Sequence, residues 1–406
     1  MKIGIDLRVL QIGHQYRGIG EVAKQTLNEI FILAEKDKNK PQFIFYMYKN
    51  EPDPLSFLRI PKGLNFKVKY LGIQPLKHPN RTIKEKVSKK TRTLYGNPIP
   101  EAKESDVLLQ FDYSLGVPKK PKTYVIMHDI IPYIFWKDYF TSPKIHIKNK
   151  AARTTLRTIL HNYEYKRILK KSLRSAYKII CVSYHTQKDL QQYFGIPLTR
   201  TTVIYNGVKE INSGSSLNQD KLPTKPYLLF IGAVDARRRV VDDIIAAFNN
   251  LKAEDIDLQL VLAGENFPSP DKIPNEVVRT AILDSSYKED ILTLGYINDQ
   301  EKKYLYENAL TFIFPTTYEG FGIPVLEAML YKCPIIVYKN SSIPEVAKDH
   351  AFYANDWETI EQRVKQIIKY PNMDLNKKLS EAYHYATSFK WSKTGNEIYY
   401  LLMPKE

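Results

Sequence analysis

The chain predicts an α/β protein built from two doubly wound domains that face a central cleft. Short apolar runs alternate with helical patterns through both halves, the signature of parallel sheets covered by helices. At 406 residues the chain is long enough for two separate cores. Between the halves, Lys209–Pro226 is polar, rich in Ser, Asn and Pro, and without apolar periodicity, so it reads as a linker. The expected strands of the first half are 2–7, 43–48, 66–71, 107–111, 124–128, 178–182 and 202–205, each a short run of branched or aromatic residues. Helical patterns cover 19–34 and a long basic stretch from about 143 to 176. In the second half, strands are expected at 227–232, 258–263, 291–294, 311–314 and 334–338, with helices at 242–251, 299–308, 324–331 and 357–369 between them. The basic, Pro- and Gly-punctuated stretch 74–104 reads as a mobile loop over the first domain.

Composition narrows the class. The chain is 43% apolar and 26% charged, ordinary for a soluble globular protein. Its apolar runs fall short of the roughly 18 residues of a membrane span, and Met1–Leu10 alternates like a strand rather than a signal peptide. Cys181 and Cys333 each lie in an apolar run, which suits buried thiols in a reducing cytosol better than a disulfide or a zinc site. The net charge is +16, but it is unevenly spread: residues 1–210 hold 38 Lys and Arg against 17 Asp and Glu, and the remainder 22 against 27. A basic first half calls for anionic partners, either an acidic lipid surface or a phosphorylated substrate, with a lysine-rich solvated face as the bland alternative. Nucleic acid is disfavoured, because the sequence carries no zinc finger, RNA-binding signature or compact recognition module.

The most informative segment is 316–329, Thr-Thr-Tyr-Glu-Gly-Phe-Gly-Ile-Pro-Val-Leu-Glu-Ala-Met. Pro324 suits the first turn of a helix, and Gly320 and Gly322 let the preceding loop approach a ligand closely. The free N–H groups that open such a helix suit a phosphate, while Glu319 and Glu327 could accept hydrogen bonds from a polyol. A strand–helix turn with two solvated glutamates is the competing reading. Gly18-Ile-Gly20 formally matches a dinucleotide pattern, but about ten residues separate it from the first strand, too far for a tight strand–turn–helix. A glycine loop near a phosphate or acceptor remains the reasonable role. His128 follows an apolar strand and points to a sugar hydroxyl contact or a structural histidine. After the run 227–232, Gly232-Ala-Val-Asp-Ala-Arg237-Arg238-Arg239 places three guanidinium groups where one or two could hold a diphosphate.

These residues together resemble the retaining glycosyltransferases of family 4, which have the two-domain GT-B fold. The likeness is carried by 294–329 with its glutamate-x7-glutamate element, and by Asp6-Leu-Arg8, Gly18-Ile-Gly20, His128-Asp129, the stretches 182–190 and 203–208, and Phe389-Lys-Trp391-Ser. The resemblance covers nearly the whole chain outside roughly 50–105 and 209–226. It implies two Rossmann-like domains, an acceptor-binding one over 1–208 and a nucleotide-sugar-binding one over 227–385, with a helix over 386–406 crossing back to the first. It places Glu327 on the donor ribose and Glu319, with the backbone of Phe321, Gly322 and Ile323, on the transferred sugar. Tyr296 and Ile297 match the contact to the base, and Gly232 lies on the donor side. Arg237 and Arg238 match an Arg-Lys pair that neutralises the diphosphate, with arginine replacing the lysine at 238. His128 matches a histidine near the donor sugar, and Gly18 and Gly20 a loop against the diphosphate.

The implied function is metal-independent transfer, with retention of configuration, from a nucleotide-sugar to a glycan, lipid-linked or phosphorylated acceptor. Cell-surface polysaccharide or glycoconjugate synthesis is the expected setting. Arginines and a helix N-terminus would stabilise the leaving diphosphate, so no cofactor is expected. The expected location is the cytoplasm, peripherally on the inner face of the cell membrane if the basic half meets anionic lipid. A catalytically silent GT-B scaffold or binding subunit is the alternative, left open by the altered arginine pair. An oxidoreductase using Gly18-Ile-Gly20 is a third reading, weakened by the strand-to-glycine gap.

Overall fold

The computed structural model describes residues 1–12, 18–49, 52–71, 98–135, 152–211, 217, 222–233, 240–370 and 372–403. The expected loop over 74–104 lies mostly outside these residues, as do Arg237, Arg238 and Arg239 and the start of the long basic helix. The chain forms two compact units: Met1–Asn206 joined by Trp391–Glu406, and Gly207–Lys390.

The first unit is built on strands β1 (Lys2–Asp6), β2 (Gln42–Met47), β3 (Phe66–Tyr70), β4 (Val107–Gln110), β5 (Lys122–Met127), β6 (Lys178–Cys181) and β7 (Thr201–Val203). They form one sheet in the order β3-β2-β1-β4-β5-β6-β7. The described pairs are all parallel. Strands covered on both faces must be apolar on both, which is why β2 reads Gln-Phe-Ile-Phe-Tyr-Met without alternation. Helices α1 (Gly18–Lys36), α2 (Ala152–Ser175) and α3 (Tyr184–Phe194) supply the crossovers. Phe31 of α1 meets Phe43 edge-on at 5.3 Å and lies 5.4 Å from Phe45, tying helix to sheet. Helix α3 starts on Ser183, whose side chain accepts from the Thr186 N–H, and stops at Gly195 in the left-handed region.

The C-terminal helix, Trp391–Leu402, belongs to this first unit and packs along α1. Gly395 makes the approach possible, since a Cβ there would stand 2.4 Å from the Cβ of Glu29. The Tyr399 hydroxyl donates to Asp37 at 2.6 Å, and that bond together with the Asn39 N–H holds the Asp37 carboxyl below its usual range. Tyr399 is held above its ordinary value, by burial first and then by Asp37.

The second unit contains β8 (Tyr227–Ile231), β9 (Gln259–Ala263), β10 (Ile291–Gly295), β11 (Thr311–Phe314), β12 (Ile335–Tyr338) and β13 (Phe352–Ala354), in the order β10-β9-β8-β11-β12-β13. Its strands also pair in parallel. The helices are α4 (Val241–Ala253), α5 (Glu276–Leu283), α6 (Asp299–Asn308), α7 (Ile323–Leu330), α8 (Ile343–Ala347), α9 (Trp357–Lys369) and α10 (Asn372–Ala386). In both sheets the order reverses once, beside β1 in the first and beside β8 in the second. Such switch points leave a crevice at the carboxyl ends of the strands, because the flanking connections depart to opposite faces.

The apolar strands stand where the sequence places them, within a residue or two. Edge strand β13 and helices α3, α5, α8 and α10 were not among the expected elements. β13 has three residues, too few for a periodic signal. Helix α3, Tyr-His-Thr-Gln-Lys-Asp-Leu-Gln-Gln-Tyr-Phe, is mostly polar and buries only Thr186, Asp189 and Leu190. Cys181 and Cys333 are free and buried, and burial pushes each thiol up to about 12. Among the described residues, no helix is long and apolar enough to cross a membrane.

Candidate active site

The richest cluster of candidate residues lies at the switch point of the second sheet. Strand β11 ends at Phe314, and the chain turns through Pro315–Gly322 before entering α7. Gly322 caps that helix with φ +107°, in the region where a side chain is strained, and a Cβ there would meet Ile343 at 3.0 Å. Pro324 lies in the first turn, where its missing N–H removes no hydrogen bond. The loop is therefore shaped by residues that only this geometry requires.

Glu319 is 9% exposed, held in a loop that is braced from the next strand over. Its N–H donates to the Ser341 hydroxyl at 2.8 Å, and its carbonyl accepts from the Ser342 hydroxyl at 2.9 Å. Ser342 also reaches the Phe321 carbonyl at 3.0 Å, and the Asn340 amide donates to the Thr316 carbonyl at 2.6 Å. The turn Asn340–Ser342, just after β12, thus satisfies the backbone that Gly320 and Gly322 leave irregular. Sequence reasoning missed these three residues. A polar Asn-Ser-Ser following an apolar strand is the signal that was there to find.

Glu327 lies on α7, four residues beyond its first position. Lys302 of α6 donates to one carboxylate oxygen at 2.5 Å, and the Tyr306 hydroxyl stands 3.4 Å from the other. Tyr306 is fully buried, stacked on Tyr331 at 6.0 Å and edge-on to Phe312 at 5.3 Å. Burial, followed by the Glu327 charge, holds its phenol well above its ordinary value, so it stays protonated and can donate.

Tyr296 and Ile297 follow β10, which ends on Gly295 at φ +65°. Tyr296 is 74% exposed, and together with Leu222, Leu294, Ile297, Glu301 and Leu305 it lines a small, open hollow at the surface. A capping box fixes this turn: Asn298 accepts from the Gln300 and Glu301 N–H groups while Glu301 accepts from the Asn298 N–H at 2.8 Å. Gly232 follows β8, with its N–H on the Ala263 carbonyl at 3.0 Å. The backbone crowds here, since a Cβ on Gly264 would fall 2.2 Å from the Gly232 carbonyl oxygen. Loop Glu319–Gly322, Glu327, the hollow and Gly232 therefore belong to one unit, with the Glu319 loop and Gly232 following the adjacent strands β11 and β8.

The first unit carries the other candidates at its own carboxyl edge. Gly18 and Gly20 form the first turn of α1, and no described residue lies within 4 Å of where a Gly18 Cβ would be. His128 follows β5, with Nε2 3.0 Å from the Phe111 carbonyl oxygen. A carbonyl only accepts, so Nε2 is the donor in this bond. Asp129 next to it caps the following turn by accepting from the Ile131 N–H at 2.9 Å. At the end of β1, Asp6 and the buried Arg8 pair through two bonds of 2.9 and 2.7 Å, and Gln110 adds a third to Asp6 at 2.7 Å. Burial works to lower the Arg8 pKa, but the charge and hydrogen bonds of Asp6 overcome it and hold the guanidinium above its ordinary value.

Comparison with known proteins bears on both units. Residues 216–384 match the model "Glycosyl transferases group 1", and residues 129–210 match "Glycosyltransferase Family 4". The O-antigen chain mannosyltransferase B of Escherichia coli is 28% identical over 241 residues, covering 57% of this chain and 58% of the relative. The O-antigen chain mannosyltransferase RfbU of Salmonella typhimurium is 25% identical over 209 residues, covering 50% and 55%. The chain thus spans a little over half the length of these curated relatives. Among solved structures, Anabaena HepE in complex with UDP-glucose superposes with a TM-score of 0.63 at 16% identity, covering 99% of each chain. Each unit thus matches a glycosyltransferase model, and the two parallel sheets of this order have the GT-B fold.

Proposed function

We propose that this protein transfers a sugar, with retention of anomeric configuration, from a nucleotide-sugar to a glycan, lipid-linked or phosphorylated acceptor in polysaccharide synthesis. The observation that carries the reading is the braced loop Glu319–Gly322 entering α7 at the switch point, with Glu327 on the same helix. The positive end of the α7 dipole faces a diphosphate there, which stabilises the leaving group as charge builds on it. Glu319 accepts hydroxyl hydrogen bonds of the transferred sugar, Glu327 those of the ribose, and the hollow beside Tyr296 and Ile297 receives the base. His128 contacts the donor sugar and Gly18–Gly20 the diphosphate, with Arg237 and Arg238 neutralising it.

On this reading the two glutamates are not an acid–base pair. A glycosidase needs its two carboxyl groups to flank one scissile bond, whereas here one serves the sugar and the other the nucleoside. The chemistry needs no metal, since backbone dipoles and guanidinium groups supply the positive charge. A mannosyl donor is the first to test, because the curated relatives are named mannosyltransferases. The acceptor site belongs to the basic first half, working from the cytoplasmic face of a membrane. Exposed Arg167, Lys170, Lys171 and Arg174 on α2 support an anionic surface as its setting.

The test is a donor panel of GDP-mannose, UDP-glucose and related nucleotide-sugars, read as transfer or slow hydrolysis. One donor is expected to turn over, and Glu319→Ala to lower kcat about 100-fold or more, as losing a contact made in the transition state does. Absence of turnover with every donor, with Glu319→Ala binding nucleotide as the parent does, would leave the silent scaffold as the better reading.

A further inference from the structure

Helix α6 presents two adjacent stripes to its surroundings. Glu301 and Leu305, four residues apart, line the hollow beside Tyr296 and Ile297. Lys302 and Tyr306, also four apart, reach the two carboxylate oxygens of Glu327. One rigid element therefore touches both the surface offered to a base and the carboxylate offered to a ribose. Its own register is set at its start by the reciprocal Asn298–Glu301 cap.

The geometry points to Lys302 as a positioning residue for nucleoside recognition, holding the Glu327 carboxylate so that its remaining lone pairs receive the vicinal hydroxyls of a ribose. The inference rests on the proposed donor role of Glu327 and deepens it by naming what orients that group. An ionised carboxylate offers about four acceptor positions. Lys302 occupies one on the first oxygen, and Tyr306 approaches one on the second. The rest stay available without the side chain having to be immobilised on binding, which lowers the entropic cost of the contact.

Charge gives the ammonium a second effect. A nucleoside diphosphate is an anion, and Glu327 without a counter-charge would repel it. The Lys302–Glu327 pair, 2.5 Å apart with both side chains about one-fifth exposed, removes most of that repulsion. Tyr306 cannot take over this task, because it is neutral and its hydroxyl stands at 3.4 Å. The ion pair is thus placed to affect binding of the nucleoside rather than the step at the sugar.

The experiment compares the full-length protein with Lys302→Met and Lys302→Arg, using UDP, GDP and their 2′-deoxy and 3′-deoxy counterparts as probes in calorimetric titration. The parent is expected to prefer the ribonucleotide about tenfold, the worth of a hydrogen bond to a charged group. Lys302→Met should reduce that preference to about twofold and raise donor KM, leave kcat at saturating donor within about twofold, and leave acceptor KM unchanged. Lys302→Arg should restore most of the preference, while a role in stability alone would shift Tm without changing the ribose-to-deoxyribose ratio. A parent that binds and turns over donor, with Lys302→Met keeping the full ratio, overturns the inference and leaves the glycosyltransferase reading standing. A parent that binds no nucleotide and turns over no donor overturns both.

Discussion

Arg8 shows how one residue can be costly and indispensable together. Its side chain is 2% exposed, paired to Asp6 and extended to the Leu115 carbonyl. Taking both charges from water costs several kcal/mol, and their attraction offsets this only while the geometry is complete. Arg8→Met should therefore lower unfolding free energy by about 3–5 kcal/mol, because Asp6 stays buried without its partner. The Arg8→Met, Asp6→Leu double variant should lose less than Arg8→Met alone, and urea unfolding of both is the check. A double variant as unstable as the sum of the single ones would mean that the pair does not act as a unit. At this same scale, Glu319, Glu327, Gly320 and Gly322 were legible because each belongs to one local pattern. Lys302 and Tyr306 were not, since their partner lies 25 and 21 residues away and no local spacing marks it.

Elements depend on close approaches that single residues permit. In the interior of a helix, glycine normally costs about 1 kcal/mol relative to alanine. Gly395 reverses that expectation, because an added methyl would stand 2.4 Å from the Cβ of Glu29, which has no flexible end to move aside. Gly395→Ala should destabilise the protein by about 1–3 kcal/mol through overpacking against α1, despite the gain in helix propensity. Thermal unfolding checks this, with Gly18→Ala as the contrast, since no described residue lies within 4 Å of its added Cβ. A Gly395→Ala variant as stable as the parent would show that the two helices slide apart freely. The strands were the most legible elements, for burial on both faces forces uninterrupted apolar runs such as Ile335–Tyr338. Helix starts were legible where a cap stands in the sequence, as with Asn298 and Glu301.

Over the whole molecule, charge is the property that sequence alone describes best. The first 210 residues carry 38 basic against 17 acidic groups, and α2 shows four basic residues at exposed positions across its last two turns. A surface of this kind gains about 1 kcal/mol per basic residue close to an anionic bilayer, and salt screens the gain. The protein should sediment with vesicles containing phosphatidylglycerol and not with neutral ones. Lys170→Glu with Lys171→Glu and Arg174→Glu should weaken that binding markedly at low salt. Equal sedimentation with both vesicle types would reject a membrane setting for the acceptor.

The sequence by itself determined the α/β class, the strands, the glycine-and-proline turn before α7, and the two glutamates flanking it. Each follows from local chemistry: burial on two faces, a left-handed glycine, a proline in a first turn. Only the tertiary structure decided which strand ends adjoin, and so which turn braces Glu319 and which cation meets Glu327. Those pairings follow from the order of strands in a sheet, which reverses beside β8. The Asn340–Ser342 turn comes to the Glu319 loop because β12 lies beside β11, and Lys302 on α6 reaches Glu327 on α7 across 25 residues of sequence. Contacts between residues so far apart in sequence exist only after the sheet has formed.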